Sequence, residues 1–138
     1  MHPVVSWRLV VGGCGTIAGM AFRYRKFKVY QDALILHRKA AHLAERFPKE
    51  YWHLADQFRR AALSVPLNIA EGSAKESDKD FNRFIAISLG SVNETVACCE
   101  IAFEAKLFSE REFNDMENLA LEIANQLGGL SKKLRAKL

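Results

Sequence analysis

From residue 29 onward, apolar residues recur at steps of three and four in four successive runs, and no run alternates strictly between apolar and polar. A step near 3.6 is the period of a helix, whereas a half-buried strand repeats every two residues. The chain is therefore expected to fold from helices alone. The first run is Val29, Ala33, Leu36, Ala40, Leu43 and Phe47, with Pro48 ending it because the residue before a proline is pushed out of helical geometry. The second spans about 51 to 71 and carries Leu54, Phe58, Ala61, Val65 and Ile69.

The third run spans about 79 to 105. One side holds Phe81, Phe84, Ile85, Ser88, Val92, Thr95, Val96, Cys99, Ala102 and Phe103, and another holds Ile87, Cys98 and Ile101. A helix apolar on two sides is either central or shared with a second subunit. Glu94, Glu100 and Glu104 on this helix are candidates to pair with bases of the first two. The fourth run, from about 110 to 127 or beyond, places Phe113, Met116, Ala120, Ile123, Leu127, Leu130 and Leu134 in a heptad seam, weakened at Gly128-Gly129. Ser109 with Glu112 reads as a capping box, and Ser77 with Asp80 as a shorter version of one. The expectation is an all-α fold: an antiparallel up-and-down four-helix bundle of residues 25–138. A chain of 138 residues is long enough for one such domain.

Residues 1–24 read differently, as an extension expected to be poorly ordered or a mis-annotated start. Val4-Val5-Ser6-Trp7-Arg8-Leu9-Val10-Val11 is followed by Gly12, Gly13, Gly15 and Gly19. A signal peptide needs positive charge ahead of its apolar run, yet Arg8 falls inside it, and a lipid anchor at Cys14 fails for the same reason. Gly13-Cys14-Gly15-Thr16-Ile17-Ala18 fits a dinucleotide fingerprint only in a βαβ unit, and no second strand follows. The run is also too short and glycine-rich to span a membrane.

The second helix contains Gln57-Phe58-Arg59-Arg60-Ala61-Ala62-Leu63-Ser64-Val65-Pro66-Leu67-Asn68-Ile69-Ala70-Glu71-Gly72. Pro66 removes a backbone donor and crowds the carbonyl of Ala62, so the helix must bend or loosen there. Asn68 and Glu71 follow the bend and are expected to tie the loosened backbone together, with Gly72 as the helix exit. Gln57, Arg59-Arg60-Ala61-Ala62, Ser64, Pro66 and Asn68-Ile69-Ala70-Glu71-Gly72 resemble the signature of the four-helix-bundle proteins encoded within intervening sequences of bacterial 23S ribosomal RNA genes. Phe47-Pro48-Lys49-Glu50, Phe81-Asn82-Arg83-Phe84 and Gly90-Ser91-Val92-Asn93-Glu94 fit the same pattern, so the resemblance covers residues 25 to 125. It implies an antiparallel bundle and a ring-like homo-oligomer, a pentamer, with no established enzymatic activity. It also implies that Met20 is where such chains begin. A similar accessory protein of diversity-generating retroelements binds a reverse transcriptase and nucleic acid.

Charge points to a partner. Residues 1–28 hold five Lys/Arg and no acid, residues 29–138 hold fifteen bases against sixteen acids, and Lys132, Lys133, Arg135 and Lys137 crowd the C-terminus. Basic ends on a near-neutral body suit contact with a polyanion. Arg23-Tyr24-Arg25-Lys26-Phe27-Lys28 interleaves bases with aromatics, a string that either grips phosphates and bases or leads into the first helix by stapling Tyr24 and Phe27 to the core. The candidate nucleic-acid or partner contacts are Arg23, Arg25, Lys26, Lys28, Arg59, Arg60, Lys75, Lys79 and Arg83, with Pro66, Asn68, Glu71 and Gly72 structural.

Catalysis is not expected. Glu50-x-x-His53 lacks the second copy and the inward glutamates that a bundle metal site requires, and His37 and His42 do not share a helix face. No catalytic, metal or cofactor residue is assigned. Cys14, Cys98 and Cys99 form no disulfide framework and suit a reducing cytoplasm. The expected function is that of a non-catalytic, oligomeric RNA- or ribonucleoprotein-associated binding protein of the cytoplasm, with no membrane contact. The alternative is an oligomeric scaffold for a protein partner such as a polymerase.

Overall fold

The computed structural model describes residues 21–137; Cys14 and the glycine-rich stretch lie outside these. Four helices follow one another: α1 (Lys28–Ala44), α2 (Trp52–Ser73), α3 (Asp78–Glu104) and α4 (Glu110–Ala136). Single 3-10 turns, Arg23–Lys26 and Lys49–Tyr51, precede α1 and α2, and no strand occurs among the described residues. Helix α2 packs between α1 and α3, and α4 between α3 and α1. The periodicity thus resolves into the expected all-α four-helix bundle. Short connections make the chain reverse at each step. The start of α1, the end of α2, the start of α3 and the end of α4 therefore share one end of the bundle.

The core is built from the predicted stripes. Leu36, Phe58, Val65, Ile69, Ile85, Met116, Ile123 and Leu127 are fully buried, each contributing on the order of 2 kcal/mol relative to exposure. The Ser109–Glu112 capping box forms in both directions: Ser109 Oγ accepts from the Glu112 N–H at 3.1 Å, and Glu112 Oε1 accepts from the Ser109 N–H at 3.0 Å. At Ser77 only the forward half forms, the hydroxyl accepting from the Asp80 N–H at 3.1 Å. The aspartate is one methylene short of a glutamate.

Several boundaries differ from the sequence reading. Helix α1 stops at Ala44 rather than Phe47, because the chain unwinds through tight turns there, Arg46 N–H to Leu43 O and Phe47 N–H to Ala44 O. The unwinding swings Phe47 onto Phe58 and Phe108, with ring centroids 6.2 and 5.6 Å away. Helix α4 continues through Gly128-Gly129 to Ala136, held by the buried Leu127 and Leu134. Phe103 is not in the core; it is 41% exposed and lies against Phe113. Glu94 pairs with no base among the described residues but accepts a hydrogen bond from Gln57 Nε2 across the α2–α3 seam.

The helix around Pro66 is tied to its neighbours. Asn68 Nδ2 donates to Ser64 O at 2.8 Å and to Ser64 Oγ at 2.9 Å, and Ser91 Oγ donates to Ser64 Oγ at 2.7 Å. Ser88, fully buried on α3, donates to the carbonyl oxygen of Val65 at 2.9 Å, directly before Pro66. Glu71 stands exposed on α2 outside this network. Gly72 is not an exit: it lies buried within α2, where α3 comes close.

Candidate nucleic-acid interface

The N-terminal turn is fastened onto the end of the bundle. Arg23 Nε donates to the Ser73 carbonyl oxygen at 2.8 Å, and its guanidinium lies over the Phe81 ring, 5.2 Å from the centroid. A cation here also complements the negative C-terminal end of α2. Phe27 stacks on the same Phe81 ring, with centroids 6.3 Å apart. Tyr24 meets Tyr30 edge to face at 4.8 Å, and Gln31 Nε2 donates to Arg25 O at 3.0 Å. Burial pushes the Tyr30 phenol up, so it remains a neutral ring. The stapling role read for Tyr24 and Phe27 is thus what the geometry provides, and the ordered turn reaches back across the boundary placed at residue 24.

Cations surround this corner. Lys75 Nζ and the Arg83 guanidinium both lie over Phe84, 5.1 and 4.7 Å from its centroid. Each gains cation–π attraction while its charge faces water. Lys28 is drawn to Asp32 at 2.6 Å and to Glu122 at 3.8 Å. Lys26 and Lys79 are exposed at the same end. Ser131 Oγ donates to Asn82 Oδ1 at 2.6 Å, which fixes the last turns of α4, with Lys132, Lys133 and Arg135, beside the start of α3.

The result is a bundle polarised along its axis. Residues 22–32, 70–83 and 131–137 hold eleven Lys/Arg against five Asp/Glu, while the rest of the described chain holds eight against eleven. The structure brings together Arg23, Arg25, Lys26, Lys28, Lys75, Lys79 and Arg83 from the predicted set. Arg59 and Arg60 are not with them: they sit thirteen or more residues before the end of α2, about 20 Å along a helix rising 1.5 Å per residue. Arg60 instead pairs with Asp56 at 3.1 Å. The α4 cations read in sequence only as a basic tail, outside the predicted set. The signal that finds them is the parity of antiparallel helices, which sends the end of the fourth beside the start of the first.

Cys98 and Cys99 are buried free thiols; burial holds Cys98 up, and burial pushes Cys99 up to about 12. Among the described residues no three His, Cys, Asp or Glu side chains gather as metal ligands would.

Fold and surface together define an antiparallel four-helix bundle with a cationic end. The chain belongs to the 23S rRNA-intervening sequence protein family, whose model matches residues 25–129. No curated protein matches it.

Proposed function

We propose that this protein is a non-catalytic RNA- or ribonucleoprotein-associated binding protein of the 23S rRNA intervening-sequence type, and that its cationic end is the polyanion-binding surface. The observation that carries the reading is the convergence of Arg23, Lys75 and Arg83 around Phe81 and Phe84, on a bundle whose opposite part is net acidic. Such a field attracts and orients a phosphate backbone, and each phosphate neutralised releases a counterion. The test is the affinity of the purified protein for structured ribosomal RNA fragments at low and moderate salt. A steep loss of affinity with salt supports the proposal. Absence of binding at tens of micromolar protein contradicts it.

The proposal includes self-association, with five copies as the family resemblance implies. Its support is α3. Ile87 and Ile101 on its second apolar side are 43% and 54% exposed, which favours the shared role of a two-sided helix. Less than half of an apolar 18-residue stretch of α3 is buried within the bundle. Leu63 and Leu67 of the neighbouring α2 are exposed as well, and Gly90, one turn from Ile87, leaves open space where a second helix could approach. The competing role, a scaffold for a protein partner such as a polymerase, would use this apolar face and leave the cationic end without RNA.

A further inference from the structure

Phe22 heads the 3-10 turn in a conformation uncommon for its residue type. Its backbone is left-handed, φ 58° and ψ 27°, a region that side chains other than glycine's rarely occupy. Among the described residues Lys106 is the other non-glycine residue with positive φ. It closes the end of α3, where the Leu107 N–H reaches back to Ala102 O at 2.9 Å, the pattern of a helix terminated by a left-handed residue. The Phe22 ring is 56% exposed.

What surrounds the ring is a recognition environment. The Arg25 guanidinium lies over it, 4.6 Å from the centroid, and Tyr24 meets it edge-on at 6.4 Å. The turn that displays it is fixed at several points: Arg23 to Ser73, Gln31 to the Arg25 carbonyl, Phe27 on Phe81 and Tyr24 on Tyr30. An exposed aromatic on a rigid mount, backed by a guanidinium and set in a field of cations, is the arrangement on which an unpaired base stacks while phosphates meet the cations around it. A base within a duplex has both faces occupied and cannot use it.

We infer that Phe22 is a stacking platform that makes the cationic end selective for single-stranded RNA over duplex. This rests on the polyanion reading above and narrows it to unpaired nucleotides. Arg23, Lys75 and Arg83 hold the backbone; Phe22, backed by Arg25, takes a base.

The test uses the full chain and two fluorescein-labelled RNAs of about a dozen nucleotides, one unstructured and one in a duplex, a length matched to the reach of a single stacking groove. The single strand binds more tightly, and Phe22→Ala lowers its affinity about tenfold, the loss of one stacked base, with duplex affinity unchanged. Phe22→Trp retains single-strand binding. Phe22→Gly separates function from fold: relief of the left-handed strain raises the melting temperature while single-strand affinity falls. Salt-dependent binding of both RNAs, with Phe22→Ala and Phe22→Gly matching the unsubstituted protein, overturns the stacking inference and leaves the polyanion reading standing. Failure of both RNAs to bind the unsubstituted protein contradicts the two together.

Discussion

A Cβ added to Gly72 would stand 2.6 Å from the Cβ of Phe84. Real side chains do not approach so closely, and the obstructing atom is fixed to the α3 backbone rather than at the end of a flexible chain. Gly72 is what lets the end of α2 settle against α3, and Phe84 is the ring beneath Lys75 and Arg83. The close helix approach and the cationic surface are therefore one construction.

Gly72→Ala is expected to destabilise the protein by about 1–3 kcal/mol, because overpacking outweighs the gain of up to about 1 kcal/mol that alanine brings to a helix. Denaturant unfolding with an unchanged slope measures it. A variant as stable as the unsubstituted protein would show that α2 and α3 part freely at this corner.

Gly128 and Gly129 are the opposite case. Both are exposed within α4, and a Cβ at either position meets nothing within 4 Å. Gly128→Ala and Gly129→Ala should each add roughly 0.5–1 kcal/mol through helix propensity. Thermal unfolding of the single and double variants checks the sign and the additivity.

The capping box gives a pH dependence. The Ser109 N–H, followed by Arg46, holds the Glu112 carboxyl below its ordinary value of 4.5, against a smaller opposing effect of burial. A carboxyl lowered in the folded state contributes stability above its unfolded pKa and loses it as pH falls through the folded one. Glu112→Ala should cost about 1 kcal/mol at neutral pH. The cost should shrink as pH falls below 4.5 and on through the lower folded value, where Glu112 takes up a proton. Unfolding free energies measured at neutral and acid pH, with a difference that stays constant, would contradict this.

The proposed self-association depends on the outer face of α3. Ile87→Glu places a charge on that face without entering the core, since Ile87 is already 43% exposed. The expected result is a fall in solution mass toward the monomer, with helix content and melting of the monomer retained. Sedimentation at micromolar concentration reads it, and an unchanged oligomeric mass would move the interface elsewhere.

The helices and the Ser109 cap are legible in sequence because they depend on local period and local hydrogen bonds. So is the role of Asn68, whose partner Ser64 lies one turn back. What escapes reading depends on the approach of distant segments. Gly72 looks like a helix exit in sequence because a packing glycine and a terminal glycine are the same letter; only the position of Phe84 separates them. Arg59 and Arg60 look like part of the cationic set until the length of α2 is laid out. Residues 22–24 read as extension because their anchors, Ser73 and Phe81, lie some fifty residues away. Phe103 fits the apolar period of α3, yet its ring lies against Phe113 and stays 41% exposed.

The most direct test of the central claim compares two sets of substitutions by fluorescence anisotropy with a ribosomal RNA fragment across a salt series. Arg23→Ala, Lys75→Ala and Arg83→Ala together should weaken binding and flatten the salt dependence by roughly one unit of slope for each phosphate no longer neutralised. Arg59→Ala with Arg60→Ala, about 20 Å away along α2, should leave both affinity and slope nearly unchanged. Equal weakening by the two sets, or weakening confined to Arg59 and Arg60, would contradict the assignment of RNA binding to the cationic end.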